Sequence, residues 1–282
     1  MTANVAVLGA GTMGHGIALL TAREGHPTHL FDVADAPLEA GVGNIEDALQ
    51  EGVDRGKTTA SEKKQALDRL TPTTDLAAAV ADADVVIEAV PEDLDLKCDT
   101  FQRVEENAPA DALLATNTSS LSVDAIAEPL AEPARVLGMH FFNPPYIMDL
   151  VEVVHAPATG DERVDEAVTF AEDLGKDPIV VRDVPGFASS RLGVALGLEA
   201  IRMVQDDVAE PEAIDAAMTQ GYNHPMGPLE LTDMIGLDTR LEIARYLHEE
   251  LGDRFEPPEL LEAMVEDGKL GKKSGEGFYE YA

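Results

Sequence analysis

Seven short apolar runs, at residues 4–8, 28–31, 84–87, 112–115, 135–139, 149–154 and 178–181, punctuate the first two thirds of the chain. The segments between them repeat their apolar residues every three or four positions. The runs therefore read as buried strands and the intervening segments as helices. Strands alternating with helices build a mostly parallel α/β sheet. From Asp183 onward the strand pattern stops. Val184-Pro185-Gly186 breaks the chain, and helical periodicity covers 187–206, 211–219, 228–235, 238–251 and 257–266, with Pro and Gly at Glu210-Pro211 and Pro225-Met226-Gly227-Pro228. The expected organisation is a doubly wound α/β domain at residues 1–183, followed by a smaller all-helical domain at 184–282. Residues 35–70 read as a helical hairpin inserted between the second and third strands, its arms divided by Gly56-Lys57 and a new start at Ser61-Glu62. There is no internal repeat.

Composition narrows the class. The chain has 282 residues, 45% of them hydrophobic, which is ordinary for a globular protein and enough for two cores. No apolar run reaches membrane-spanning length, the first strand begins too near Met1 to leave room for a leader, and the single cysteine, Cys98, excludes an internal disulfide. The expectation is a soluble, cytoplasmic protein. Its net charge is −34, from 54 acidic side chains against 20 basic ones. Such a surface repels nucleic acid and anionic lipid, so neither is an expected partner. It also repels itself unless salt shortens the screening distance to about 3 Å, as at molar concentration. The acids are spread along the chain rather than gathered in a tail, and the expected origin is the salt-loaded cytoplasm of a halophile.

The first run passes directly into Gly9-Ala10-Gly11-Thr12-Met13-Gly14 and then into a helical pattern, and the second run stops at Asp32. Strand, glycine turn, helix, strand and acid form the fingerprint of a dinucleotide site. Gly9 permits the tight turn, Gly11 lets the backbone approach a pyrophosphate, and Gly14 lets helix and strand pack closely. The pyrophosphate then meets free N–H groups at the helix start. Asp32 would accept hydrogen bonds from ribose hydroxyls and repel a 2′-phosphate, so the expected cofactor is NAD rather than NADP.

Three further stretches fall at strand ends, where open α/β sheets bind ligands: Ala89-Val90-Pro91-Glu92, Thr116-Asn117-Thr118-Ser119-Ser120, and His140-Phe141-Phe142-Asn143-Pro144-Pro145. His140 is the candidate for acid–base work, because imidazole takes and returns a proton near neutral pH. Glu152 stands inside the apolar strand Leu150 to Val154, a costly place for a merely solvating charge. It can reach His140 if the two strands fold back on each other. Read blandly, His140 is a structural histidine and Glu152 a surface acid. Asn117 and Ser119 could equally serve as caps of the following helix. The remaining histidines show no metal-ligand spacing, so no metal site is expected.

Together these residues resemble the L-3-hydroxyacyl-CoA dehydrogenases, including the short-chain 3-hydroxybutyryl-CoA dehydrogenases. The resemblance runs from Gly9 to Tyr281 through GAGTMGHGIA, VVIEAVPEDLDLK, TNTSSL, GMHFFNP, LVEVV, DVPGFASSR, HPMGPLELTDMIGLD and LGKKSGEGFYEY. It implies a Rossmann-type NAD domain, a helical substrate and dimerisation domain, and a homodimer. The implied reaction is NAD-dependent oxidation of (3S)-3-hydroxyacyl-CoA to 3-oxoacyl-CoA. By resemblance, His140 is the base, Glu152 its partner, and Asn143 and Ser119 lie near the reacting carbon. Glu92, Lys97, Asn117, Asn143 and Lys273 match cofactor-side positions, along with Gly9, Gly11, Thr12, Met13, Gly14 and Asp32. Two departures stand out. Ser190 replaces the family's asparagine before Arg191, leaving a shorter side chain at a catalytic position. In the hairpin, Ala48 and Arg55 stand where the family places a serine and a lysine against the CoA nucleotide, with Lys57 close by. Arg55 and Lys57 either dock a polyanionic CoA or only offset the acids around them. A dehydrogenase of a small free hydroxy acid on the same fold, or a non-catalytic NAD-binding protein, are the competing readings.

Overall fold

The computed structural model describes residues 2–281 and divides them into two units, with the boundary between Val184 and Pro185. No helix among the described residues is long and apolar enough to cross a membrane.

The first unit is built on one eight-stranded sheet: β1 (Val5–Leu8), β2 (Thr28–Phe31), β3 (Leu70–Thr73), β4 (Val85–Glu88), β5 (Leu113–Thr116), β6 (Val136–Phe141), β7 (Leu150–His155) and β8 (Asp177–Arg182). Their spatial order is β3-β2-β1-β4-β5-β6-β7-β8. Every pairing is parallel except β6 with β7. The chain starts in the middle of the sheet, builds outward to β3, then returns to β4 beside β1, so the order reverses at the carboxyl ends of β1 and β4. That reversal opens a crevice in this class of sheet.

Seven helices cover the sheet: α1 (Thr12–Arg23), α2 (Asp35–Asp54), α3 (Ala60–Asp68), α4 (Leu76–Val80), α5 (Leu94–Asn107), α6 (Val123–Ala127) and α7 (Asp161–Asp173). α1 is buried along Ile17, Ala18, Leu19 and Leu20, and these pack with Val5, Val7, Leu30, Val85, Ile87 and Leu113 into one core. Strands apolar on both faces, such as Val5–Leu8 and Val85–Glu88, are what a sheet covered by helices requires.

The inserted hairpin is present as α2 and α3, and its second arm starts at Ala60, one residue before the expected start at Ser61-Glu62. Thr59 is the cap. Its hydroxyl accepts the Glu62 N–H while the Glu62 carboxylate accepts the Thr59 N–H, a reciprocal capping box. The hairpin ends at Asp68, close to the expected end at 70, and leads into β3, a short strand that the apolar runs do not mark and that forms one edge of the sheet.

The second unit contains α8 (Ser189–Gln205), α9 (Pro211–Gly221), α10 (Pro228–Ile235), α11 (Leu237–Leu251) and α12 (Glu259–Glu266). Val194, Leu198, Ile201, Ile214, Leu229, Leu241, Leu247 and Leu261 form its core. Two buried carboxylates tie this unit together. Asp215 accepts the Leu229 and Glu230 N–H groups at the start of α10 and the Tyr279 hydroxyl. Asp233, fully buried, accepts the Phe278 and Tyr279 N–H groups and the Tyr281 hydroxyl, fastening the C-terminal segment to α10.

Candidate active site

β6 and β7 run antiparallel in a register that sets His140 directly opposite Glu152. The facing side chains meet, with His140 Nδ1 2.8 Å from Glu152 Oε2. Glu152 is completely buried and His140 nearly so. An ionised carboxylate can only accept, so Nδ1 carries the hydrogen and Nε2 is the acceptor nitrogen of the neutral ring. Phe142 packs against the imidazole with ring centroids 4.6 Å apart. The fold thus holds one imidazole by its back nitrogen and by a ring face.

His140 lines a cavity of about 770 Å³ at the carboxyl ends of the strands. Its wall includes Gly9, Gly11, Thr12, Met13, Asp32, Glu92, Lys97, Asn117, Ser119 and Asn143, so most of the residues singled out from sequence are brought to one surface. Phe31, Val33, Pro37 and Leu76 add apolar surface to the lining, and Arg103 adds a cation.

The glycine turn fits a dinucleotide for reasons visible in its packing. Gly9 has φ +101°, and a Cβ there would sit 2.6 Å from the Ala89 carbonyl oxygen. A Cβ on Gly14 would fall 1.7 Å from the Gly9 carbonyl oxygen, so that glycine is what allows α1 to start against β1. At Gly11, by contrast, a Cβ would meet nothing within 4 Å, leaving the approach to the backbone open. No side chain caps α1 at Gly11, which leaves its first N–H groups available to an anion. Asp32 Oδ2 accepts the Ala10 N–H at 2.9 Å, which fixes the acid at the end of β2 against the turn. NAD fits this donor set: a close-approach turn, an uncapped helix start and an anchored carboxylate.

A second polar assembly closes the other side of the cavity. Glu88, at the end of β4, is fully buried. Its Oε1 accepts Lys97 Nζ at 2.7 Å and the Val90 N–H at 2.7 Å, and its Oε2 accepts the Thr116 hydroxyl at 2.7 Å. Lys97, itself 1% exposed, also reaches the Val90 carbonyl oxygen and Glu92 Oε2, each at 3.3 Å. Glu92 Oε1 accepts the Thr118 hydroxyl at 2.6 Å and the Ser119 and Ser120 N–H groups at 3.0 and 3.3 Å. Burial alone would raise the Glu92 pKa, but the Lys97 charge, the Thr118 hydroxyl and the Ser119 N–H together hold it below its ordinary 4.5.

Asn117 and Ser119 are not helix caps. Ser122 caps α6 through the Ala125 N–H. Asn117 Oδ1 instead accepts the Phe141 N–H at 2.9 Å, joining the end of β5 to the end of β6 one residue past His140. Ser119 is fixed by its N–H to Glu92.

Glu88 carries no mark as a site residue in the sequence, and Thr116 and Thr118 are marked only as members of a strand-end stretch. Glu88 had the signal that exposed Glu152, an acid within an apolar strand, but stood at the strand's last position. Of the other candidates, Gly14 lies beneath the turn and Glu152 behind His140. Arg55 ends α2, exposed and paired with Glu51 on the previous turn, and Lys57 is exposed in the turn that follows. Neither lines the cavity. Ser190 and Lys273 belong to the second unit. Ser190 is in the first turn of α8, and Lys273 Nζ pairs with Asp238 at 2.5 Å.

Comparison with known proteins gives one answer along the whole chain. Residues 4–184 match the model of the 3-hydroxyacyl-CoA dehydrogenase NAD-binding domain, and residues 186–281 match that of the 3-hydroxyacyl-CoA dehydrogenase C-terminal domain. A 3-hydroxybutyryl-CoA dehydrogenase of Mycobacterium tuberculosis is 44% identical over 280 residues, 98% of each chain. The mitochondrial hydroxyacyl-coenzyme A dehydrogenase of Rattus norvegicus is 40% identical over 286 residues, covering 99% of this chain and 91% of the rat protein. The crystal structure of the (S)-3-hydroxybutyryl-CoA dehydrogenase from Ralstonia eutropha superposes with a TM-score of 0.96 at 37% identity, covering 100% of both chains.

Proposed function

The chain belongs to the 3-hydroxyacyl-CoA dehydrogenase family and is an NAD-dependent oxidoreductase of 3-hydroxyacyl-CoA, and on that premise we propose that His140 is its acid–base residue and Glu152 the partner that orients and charges it. The observation that carries the reading is the His140–Glu152 pair in the wall of the cavity that the glycine turn and Asp32 also line. When bound at that turn, NAD would supply the acceptor for the hydride, hydrogen with its electron pair, that leaves C3. His140 takes the hydroxyl proton of the substrate at Nε2 as the C3–O bond becomes a carbonyl. The imidazolium so formed lies against the buried Glu152 carboxylate, which lowers the cost of charging the ring away from water. In the reverse direction the same nitrogen returns the proton.

Asn143 and Ser119, both on the cavity wall, orient the reacting oxygen, while Asn117 holds the end of β6 in place. Asp32 selects the unphosphorylated ribose. Arg55 and Lys57, exposed cations where the α2–α3 hairpin turns, meet the CoA nucleotide. A homodimer through the helical unit is supported by exposed Leu192, Tyr222 and Met234 on that unit; sedimentation should read about twice the 30.1 kDa chain mass, and a monomer would refute it.

The experiment is a steady-state assay of 3-oxoacyl-CoA substrates from C4 to C16 with NADH in molar KCl, alongside the matching free 3-oxo acids. Turnover of the thioesters with none of the free acids is expected. Turnover of free acids alone would replace the reading with that of a small hydroxy-acid dehydrogenase. Binding of NADH without turnover of either would leave a non-catalytic NAD-binding protein. Reversing both hairpin cations, R55E/K57E, should raise the KM for acyl-CoA and leave that for NADH unchanged; equal rises in both would remove these residues from CoA docking.

A further inference from the structure

Three charges, Glu88, Lys97 and Glu92, line up from the interior of the first unit to the cavity wall. Glu88 is sealed off and does not line the cavity, Lys97 borders it while only 1% exposed, and the Glu92 side chain, 37% exposed, is the most open of the three. A lysine ammonium has three hydrogens, and Lys97 has three acceptors around it: Glu88 Oε1, the Val90 carbonyl and Glu92 Oε2. Its proton complement is spent on the protein. Glu88 is similarly committed, with three donors from the start of the β4–α5 loop, from α5 and from β5.

Such a buried arrangement is poor value as a stabilising device. Desolvating the ions costs about as much as their attraction returns, and apolar replacement is often neutral or favourable. What the arrangement does supply is position. Glu88 locks Lys97, Lys97 holds one oxygen of Glu92, and the other oxygen gathers the Thr118 hydroxyl and the Ser119 and Ser120 N–H groups. The turn from Asn117 to Ser120 is therefore moulded on Glu92, and Ser119 and Asn117 reach the cavity wall from that turn. Without the buried anchor, Glu92 would be a half-exposed carboxylate on a loop, free to swing toward solvent.

We propose that Glu88 is a positioning residue for the dehydrogenase reaction: through Lys97 and Glu92 it sets the turn that presents Ser119 to the reacting centre. This rests on the reaction assigned above. Glu88 does not line the cavity, and its side chain reaches the Ser119 turn only through other residues: Lys97 and Glu92 on one side, and on the other Thr116, whose hydroxyl also accepts the Thr118 N–H. That predicts coupling at a distance, which a merely structural residue would not show.

The test is a double-mutant cycle on the full chain with acetoacetyl-CoA and NADH, with NADH affinity followed by its fluorescence. Glu88→Gln should lower kcat about tenfold, keep the Kd for NADH within about threefold, and add little in a Ser119→Ala background, E88Q/S119A matching S119A within about twofold. Effects that multiply in the double variant would overturn the proposal, as would E88Q or S119A retaining the parent kcat. Should E88Q fail to fold, Glu88→Asp keeps the charge but withdraws the carboxylate from Lys97 and Thr116, and the same cycle with S119A is read by the same criteria. An unsubstituted enzyme that turns over no acyl-CoA would sink the assigned reaction and this proposal with it. An active enzyme with multiplying effects would sink this proposal alone.

Discussion

Glu152 Oε2 lies 2.8 Å from His140 Nδ1, across an antiparallel pair inside an otherwise mostly parallel sheet. The single strand reversal between β6 and β7 brings an acid and a base from separate strands face to face with both buried. A parallel continuation would have carried β7 away through a crossover helix instead.

Glu152→Gln keeps the size and an acceptor oxygen but removes the charge that the imidazolium needs. We expect kcat to fall by about 10²-fold or more, within the range of general acid–base contributions, with the Kd for NADH little changed. A loss under about threefold would show that Glu152 only packs.

Asp32 is pinned to the glycine turn by the Ala10 N–H, so it cannot swing away to admit a 2′-phosphate. The unsubstituted enzyme should prefer NADH over NADPH by about 10²-fold or more in kcat/KM, corresponding to about 2.7 kcal/mol. Asp32→Ser should shrink that ratio at least about tenfold. Efficient use of NADPH by the parent enzyme would contradict the ribose argument.

Glu92 sets a pH dependence whose sign follows from its depressed pKa. In the folded protein its carboxyl titrates below the ordinary 4.5, with Lys97, Thr118 and Ser119 outweighing burial. The ionised form therefore favours folding. That contribution is complete above the unfolded value and is lost as pH falls through the lower folded one. The difference in Tm between the parent and Glu92→Gln should be constant from pH 7 down to about 5.5 and shrink below about 4.5. A difference that grows on acidification would reverse the assignment.

We also propose that the chain is adapted to concentrated salt. A formal charge of −34 on 282 residues stores self-repulsion that molar salt screens. Relief of about 3–5 kcal/mol between millimolar and molar KCl would raise Tm by roughly 10 °C for a protein of this size. A flat or falling Tm would refute the proposal.

Much of this architecture is legible in the residues because the signals are local. The apolar runs mark seven strands to within one or two residues, six of them because they are largely buried on both faces; the seventh, β8, is not the buried strand its apolar run suggests but lies mostly exposed at the other edge of the sheet, with Ile179 and Val180 in the open. β3 left no such mark: Leu70-Thr71-Pro72-Thr73 has a single large apolar residue and a proline. Proline is tolerated in a strand at a sheet edge, where β3 lies. The second arm of the hairpin starts at Ala60 rather than Ser61, because Thr59 exchanges hydrogen bonds with Glu62 in a capping box that only the geometry shows.

In the site, the glycine turn and Asp32 are contiguous enough to read as one motif. The pairing of His140 with Glu152 depends on strand register, which a list of apolar runs does not give. Asn117 illustrates the limit: as residue type it suits a cap, yet its carbonyl bridges two strands. Glu88 was hidden by its place at a strand end, where an acid usually meets water, whereas here Lys97 and Thr116 enclose it.

The proposed reaction requires His140 as the group that moves the proton. The most direct measurement is turnover of (S)-3-hydroxybutyryl-CoA with NAD by His140→Ala in molar KCl, paired with NADH affinity of the same sample. Turnover should fall by about 10³-fold or more while the Kd for NADH stays within about threefold of the parent. Near-parent turnover in a variant that still binds NADH would contradict it.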